Sequence, residues 1–224
     1  MAGSPILYLA RHGETDWNAA GRWQGQTDIP LNDQGRDQAR AIADRLGAEG
    51  ISSVASSDLL RARATAEIVA ATLKLSVNHV HADLRERRFG CFEGLTRDEV
   101  AARFPGAWAR YLADPEPAPP GGESREELLA RLLPAVLSAA ARLEPPLLVV
   151  MHGGGMRALL AEHLGAMPRP ASADWPLRGI QNGHVYRVTL ANGRIAAAER
   201  VDAPRGSGLT GPARGAPGTR PPHR

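Results

Sequence analysis

Two short stretches set a histidine beside glycine at the end of an apolar run. Arg11-His12-Gly13-Glu14-Thr15-Asp16-Trp17-Asn18 follows Ile6-Leu7-Tyr8-Leu9-Ala10, and His152-Gly153-Gly154-Gly155 follows Leu147-Leu148-Val149-Val150-Met151. Arginine grips an anion through two parallel hydrogen bonds. Neutral imidazole is a nucleophile at physiological pH. Glycine lets the backbone turn and come close to a ligand. The first stretch therefore points to a phosphoryl group held by Arg11 and attacked by His12. Taken alone, it leaves open a plain strand end with a solvated arginine and a capping histidine. The second stretch repeats the logic, because the helix expected over Met156 to about Leu164 has free N–H groups that favour an anion.

Other residues carry weaker signals. Arg61 and Arg63 fall in the first turns of an expected helix, where basic groups oppose the helix dipole. Either both are solvated or a bound anion offsets the cost. Glu86 sits among Arg85, Arg87 and Arg88, close to a turn at Gly90. His79 and His81 share a face if their segment is extended, but no further ligands for a metal lie nearby. Cys91, the single cysteine, reads as a packing residue and can form no intrachain disulfide. Arg63 is expected to face solvent, Glu14 to anchor the loop, and His163 and His184 to be ordinary surface or strand residues.

These residues need a scaffold that alternates strands and helices. Both apolar runs read as buried strands, and open α/β sheets bind ligands at the carboxyl ends of such strands. Residues 19–31 read as a loop. Asn32 should cap a helix with Ala39, Ile42, Ala43 and Leu46 inward, ended by Gly47 and Gly50. Ile51 to Ala55 reads as a strand. Ser57 then caps a helix to about Leu73, with Leu60, Ala64, Ile68 and Ala71 or Thr72 inward. Val77 to Val80 makes a short strand. Thr96-Arg97-Asp98-Glu99 is a capping box opening a helix to about Tyr111. Ala113 to Gly122 is an irregular, proline-rich excursion. A second capping box at Ser124 opens a helix with Leu128, Leu132, Ala135 or Val136, and Ala139 inward, which Pro134 should kink or divide. His184–Leu190 and Arg194–Val201 should pair as a hairpin around Ala191-Asn192-Gly193.

The chain has 224 residues, which suits one domain over residues 1–202 followed by a Gly/Pro/Arg-rich tail, 203–224, expected to be disordered. The formal charge is +3, but the tail holds four arginines and no acid, so without it the charge is −1. The basic balance is thus no sign of a nucleic-acid face. No apolar run reaches the ~18 residues of a membrane span, and the first residues do not read as a signal peptide. A cytoplasmic location is expected.

The ordered set of strand–Arg11-His12-Gly13-Glu14-Thr15, Asn18, Ser56-Ser57-Asp58-Leu59-Leu60-Arg61-Ala62-Arg63-Ala64-Thr65-Ala66, Leu84-Arg85-Glu86 and Met151-His152-Gly153-Gly154 resembles the histidine phosphatase superfamily, in its phosphoglycerate mutase-like branch of small bacterial phosphatases. The resemblance covers roughly residues 5–200. It implies a three-layer α/β/α sandwich with a mainly parallel central sheet. It implies that His12 becomes phosphohistidine, that Arg11, Arg61 and His152 hold the phosphoryl oxygens, that Asn18 is a further phosphate ligand and that Glu86 is the general acid. Gln24 and Gly25 in the loop, with Gly153, complete the expected binding set. No metal or organic cofactor is implied. The expected partner is a small phosphate ester, with no nucleic acid and no membrane; a homodimer is left open.

Phosphoryl transfer agrees with this set, since its catalysis is mostly positioning and electrostatic stabilisation. Two arginines and a second histidine, able to carry a proton, supply the donors. A hydrogen bond from the other nitrogen of His12, for instance to a backbone carbonyl, would fix the tautomer that attacks. Glu86 would protonate the leaving oxygen and then act as base on water. In family mutases a Thr precedes the loop glycine and a Tyr lies three residues after the catalytic Glu; here Gln24 and Phe89 stand there. Mutases also bring arginines from the segment that is acidic and proline-rich here, Ala113 to Pro120. Arg97, near a mutase lysine position, is the counter-signal. Hydrolysis of a phosphomonoester is therefore favoured over mutase-type transfer and over a silent phosphate-binding module. The substrate is not legible. Trp23, Phe89, Phe92 and Trp108 read either as pocket lining or as core.

Overall fold

The computed structural model describes residues 6–164 and 179–201. The expected boundary at residue 202 and the tail 203–224 lie outside the described residues. The strands in chain order are β1 (Ile6–Arg11), β2 (Ser53–Ser57), β3 (Val77–His81), β4 (Leu147–Met151), β5 (Val185–Ala191) and β6 (Arg194–Arg200). The helices are α1 (Asp16–Ala19), α2 (Asp33–Leu46), α3 (Leu60–Thr72), α4 (Arg97–Arg103), α5 (Pro105–Ala113), α6 (Arg125–Arg142) and α7 (Gly153–Leu164).

The strands form one sheet in the order β3-β2-β4-β1-β5-β6. β3, β2, β4 and β1 run parallel, while β5 pairs antiparallel with β1 and β6 antiparallel with β5. Side chains alternate across a strand, so β1 and β4 feed two cores. Leu7, Leu9, Leu147, Val149 and Met151 pack under α6 and α7. Tyr8, Ala10, Leu148 and Val150 pack under α2 and α3. Burial on both faces explains why these strands read as unbroken apolar runs. The result is the three-layer α/β/α sandwich. A third, aromatic cluster of Trp23, Phe89, Phe92, Trp108 and Tyr111 packs with Val100, and Cys91 lies against it.

Several elements depart from the sequence reading. β2 lies two residues later than Ile51–Ala55, so Ser57 ends the strand and Leu59, which offers no side-chain cap, stands at the N-cap of α3. The buried face of α3 is Arg61, Ala62, Thr65, Ala66, Val69 and Ala70, while Leu60 is 49% exposed. Small apolar residues surround this helix, so spacing did not single out a face. The helix from Thr96 breaks at Phe104, because Pro105 disfavours helical backbone before it. Pro134 neither divides α6 nor enters the core; it is exposed within a helix that continues to Arg142. α7 begins at Gly153, three residues earlier than expected. The capping boxes at Thr96 and Ser124, the Asn32 cap and the inward residues of α2 and α6 follow the sequence reading.

Candidate active site

The register of β1 with β4 sets Arg11 opposite Met151, so His12 and His152 leave adjacent parallel strands at the same level. The His12 N–H donates to the Met151 carbonyl at 3.0 Å, and the two imidazole centroids are 5.1 Å apart. Both histidines are buried. The Nδ1 of His12 lies 2.6 Å from the carbonyl of Gly13. A carbonyl only accepts, so Nδ1 carries the proton and Nε2 keeps its lone pair.

Beyond the strand ends lies a cleft of about 730 Å³, open mouth included. It is lined by Arg11, His12, Asn18, Gln24, Gly25, Arg61, Glu86 and Gly153, that is, by every expected site residue except His152. His152 is fully buried next to His12. Neither Arg63 nor His184 lines the cleft. Arg63 is exposed and paired with Glu67 at 2.9 Å, and Glu14 anchors the loop by accepting from Asn32 Nδ2 at 3.0 Å.

Each charged group has identifiable scaffolding. Arg61 reaches inward from α3 and donates to the carbonyls of Thr27 and Gly25 at 2.8 and 2.7 Å, which ties the loop to the helix. Arg11 donates to the Ile180 carbonyl at 2.5 Å. A Cβ at Gly153 would sit 3.1 Å from Cδ and Nε of Arg11, so glycine allows the arginine to lie along the start of α7. The Glu86 carboxylate accepts from the N–H groups of Gly154 at 2.8 Å, Gly155 at 3.0 Å and Arg87 at 2.8 Å. It thus occupies the positive end of α7. Asn18 Oδ1 accepts from Thr15 N–H at 3.2 Å and from Asn182 Nδ2 at 3.1 Å.

The electrostatics follow from burial among cations. Desolvation, then Arg61 and Arg11, hold the His12 pKa well below its ordinary value. Desolvation, then Arg61, His12 and Arg11, do the same to His152. With both pKa values held down, both rings are neutral at pH 7, and His152 does not carry the proton considered for it. Burial brings Arg11 and Arg61 to about 10, against the opposing attraction of Glu86, and both stay cationic at neutral pH. Arg11 Nε, Arg61 Nε, Gln24 Oε1 and both nitrogens of His152 are buried with no hydrogen-bond partner among the described residues. Buried polar groups are nearly always paired. A tetrahedral anion in the cleft would give the N–H groups of Arg11 and Arg61 acceptors.

A family model described as histidine phosphatase superfamily (branch 1) matches residues 7–203. The chain belongs to the histidine phosphatase superfamily. It is 39% identical over 183 residues to a glucosyl-3-phosphoglycerate phosphatase of Mycobacterium tuberculosis, which covers 77% of this chain and 79% of the relative. It is 41% identical over 157 residues to a metal-independent phosphoserine phosphatase of Arabidopsis thaliana, covering 68% and 66%. Phosphoglycerate mutase names also occur among the relatives. A solved mycobacterial glucosyl-3-phosphoglycerate phosphatase in complex with VO3 superposes with TM-score 0.73 at 35% identity, covering 90% of this chain and 99% of that one.

This histidine phosphatase also has lining residues that sequence reasoning did not assign to the site. Arg157 lines the cleft one helical turn past Gly153, and that i,i+4 spacing was the signal available. Arg22, paired to Glu99 at 2.7 Å, lines it as well, and so does Arg97, the counter-signal of the sequence reading. Trp23 and Phe89 serve both roles, core cluster and cleft wall. Thr65 accepts from the Gly13 N–H at 3.0 Å and donates to the Arg61 carbonyl at 2.7 Å, joining the two motifs. Asn182 donates to the His12 carbonyl at 3.0 Å. No group of three or more His, Cys, Asp or Glu that could hold a metal occurs among the described residues, and no helix among them is long and apolar enough to cross a membrane.

Proposed function

We propose that this chain hydrolyses a small phosphomonoester through a phosphohistidine at His12. The observation that carries the reading is the buried imidazole whose Nδ1 is engaged by the Gly13 carbonyl at 2.6 Å, at the floor of a cleft with two arginines and one carboxylate. His12 Nε2 attacks phosphorus and the bond to the ester oxygen breaks. Arg11, Arg61 and the amide of Asn18 take the equatorial oxygens, with His152 against the same group. Glu86 gives its proton to the departing oxygen. It then takes a proton from the water that attacks phosphorus, the P–N bond breaks, and phosphate leaves. A phosphoryl group at the start of α7 would compete with Glu86 for the N–H groups of Gly154 and Gly155, which frees the carboxyl for proton transfer. Such transfer is worth about 10²–10⁴-fold. Gln24, Gly25 and Gly153 shape the wall around the group.

The test is to quench the enzyme with labelled substrate under non-acidic conditions. An acid-labile, base-stable phosphoprotein is expected in the wild type and none in His12→Ala. Label on the variant, or substantial remaining activity, would overturn the assignment.

The relatives named above act on phosphoglycerate- and phosphoserine-type esters, and either class fits a cleft lined by five arginines and one glutamate. Mutase-type transfer is a second reading, favoured by Arg97 on the cleft wall. Hydrolysis is preferred because no residue of Ala113–Pro120 lines the cleft, so that segment adds no grip on a second anionic group.

A further inference from the structure

Glu86 cannot be placed by its own side chain alone. It lies in an irregular segment between a short 3₁₀ turn (Ala82–Leu84) and a second one (Gly90–Phe92), with no strand or long helix to hold it. Gln26 Nε2 donates to the Glu86 carbonyl at 3.1 Å, and the rest of the grip on the main chain there comes from Arg131 on α6. Its Nη1 donates to the carbonyls of Asp83 and Arg85, both at 2.9 Å, and its Nη2 donates to the carbonyl of Glu86 itself at 2.8 Å. The remaining donors go to Glu123, Nε to Oε1 at 2.7 Å and Nη2 to Oε2 at 2.8 Å. All five N–H groups of the guanidinium are thereby used. Glu123 is itself buried, and its Oε2 accepts from the Arg88 N–H at 3.2 Å, two residues past Glu86.

From this arrangement we infer that Arg131, fixed by Glu123, is the positioning residue for Glu86. It sets where the carboxyl stands relative to the ester oxygen without touching substrate. The inference rests on the reading of Glu86 as proton donor. Its physical basis is that three anchor points within four residues come from one planar cation, so the segment cannot rotate about Glu86 without breaking several charge-assisted bonds at once. The adjacent residue Leu132 closes the frame: a Cβ at Gly155 would lie 3.0 Å from Leu132 Cδ2, so α6 also fixes the start of α7, where the Glu86 carboxylate docks. A shift of about 1 Å at such a group costs on the order of 10²-fold in rate.

The test uses the leaving group as the reporter. Arg131→Gln, Arg131→Lys and Glu86→Gln are assayed for phosphoenzyme formation with an alkyl phosphate, whose alkoxide needs protonation, and with p-nitrophenyl phosphate, whose phenolate does not. Glu86→Gln should slow the alkyl ester far more than the nitrophenyl ester, and this arm tests the reading of Glu86 by itself. Arg131→Gln should show the same selectivity, about 10–100-fold on the alkyl ester. In the double variant the two losses should not multiply, because Arg131 acts through Glu86. Arg131→Lys, which keeps charge but not the five-donor fork, should fold if Arg131→Gln does not and should show a smaller loss of the same selectivity. Selective loss in Glu86→Gln with equal loss on both esters in the Arg131 variants, or multiplicative losses in the double variant, would overturn the inference while leaving Glu86 as acid. No selectivity in Glu86→Gln would remove both.

Discussion

The two neutral histidines make a prediction about stability rather than rate. In the folded protein both pKa values lie well below the ordinary histidine value, with desolvation the first cause and the neighbouring arginines the second. In the unfolded chain both return to about 6.5. Between the folded and unfolded values the unfolded state binds more protons, so stability is full above about pH 6.5 and is lost as pH falls. The burial of both residues, 3% exposed for His12 and 0% for His152, means that little solvent screening moderates the effect. Below about pH 6.5 each histidine therefore makes the fold less stable as pH drops, by at most about 1.4 kcal/mol per pH unit while only the unfolded chain is protonated. Against a typical domain stability of about 5–15 kcal/mol, a slope of that size is measurable.

The assay is urea unfolding followed by tryptophan fluorescence at several pH values, in wild type, His152→Asn and His12→Asn/His152→Asn. Asparagine cannot take the proton, so each substitution should make stability fall less steeply between pH 7 and pH 5. Carboxylates titrate in the same region, but their contribution is common to all three proteins and cancels in the differences. Identical pH dependence in wild type and both variants would refute the reasoning, because it would mean that the folded protein protonates these rings as readily as the unfolded chain does.

Two further outcomes follow from the geometry of the cleft. A Cβ at Gly154 would lie 2.5 Å from Glu86 Oε1, so Gly154→Ala should push the carboxyl aside; turnover of alkyl phosphates should fall by about 10²-fold with the melting temperature nearly unchanged, and a large melting shift would show that the backbone moved instead of the side chain. Given 3-phosphoglycerate with catalytic 2,3-bisphosphoglycerate, the enzyme should release free phosphate faster than it forms 2-phosphoglycerate; isomerisation outrunning release, with no faster hydrolysis of another monoester, would select the mutase reading.

The parts of the fold that were legible are those where burial imposes a pattern. α2 and α6 each present one apolar face, and their inward residues agree with the sequence reading. β1 and β4 are buried on both faces and appear as unbroken apolar runs. α3 was misread because its buried face includes Arg61 and Thr65, polar residues selected by the site, while Leu60 and Ile68 were left outside the core face. β2 departs from the apolar pattern for a related reason: its carboxyl end is Ser56-Ser57, polar but fully buried, while the apolar Ile51 lies before the strand.

The same distinction divides the site. Arg11, His12, Glu86 and His152 stand next to the strand ends and turns that announce them. The groups that hold them in place do not, and the reason is the partner they use. Arg87 spends its donors on the carbonyls of Glu123, Pro115, Glu116 and Pro117. Arg131 spends three on Asp83, Arg85 and Glu86. Every residue offers a carbonyl, so no residue type marks the far end of these bonds and no spacing relates the two ends. An arginine that reads chain rather than side chain is legible only once the chain is folded around it. That is why the histidines and Glu86 of the candidate site stand out in this sequence, while Arg87 and Arg131 do not.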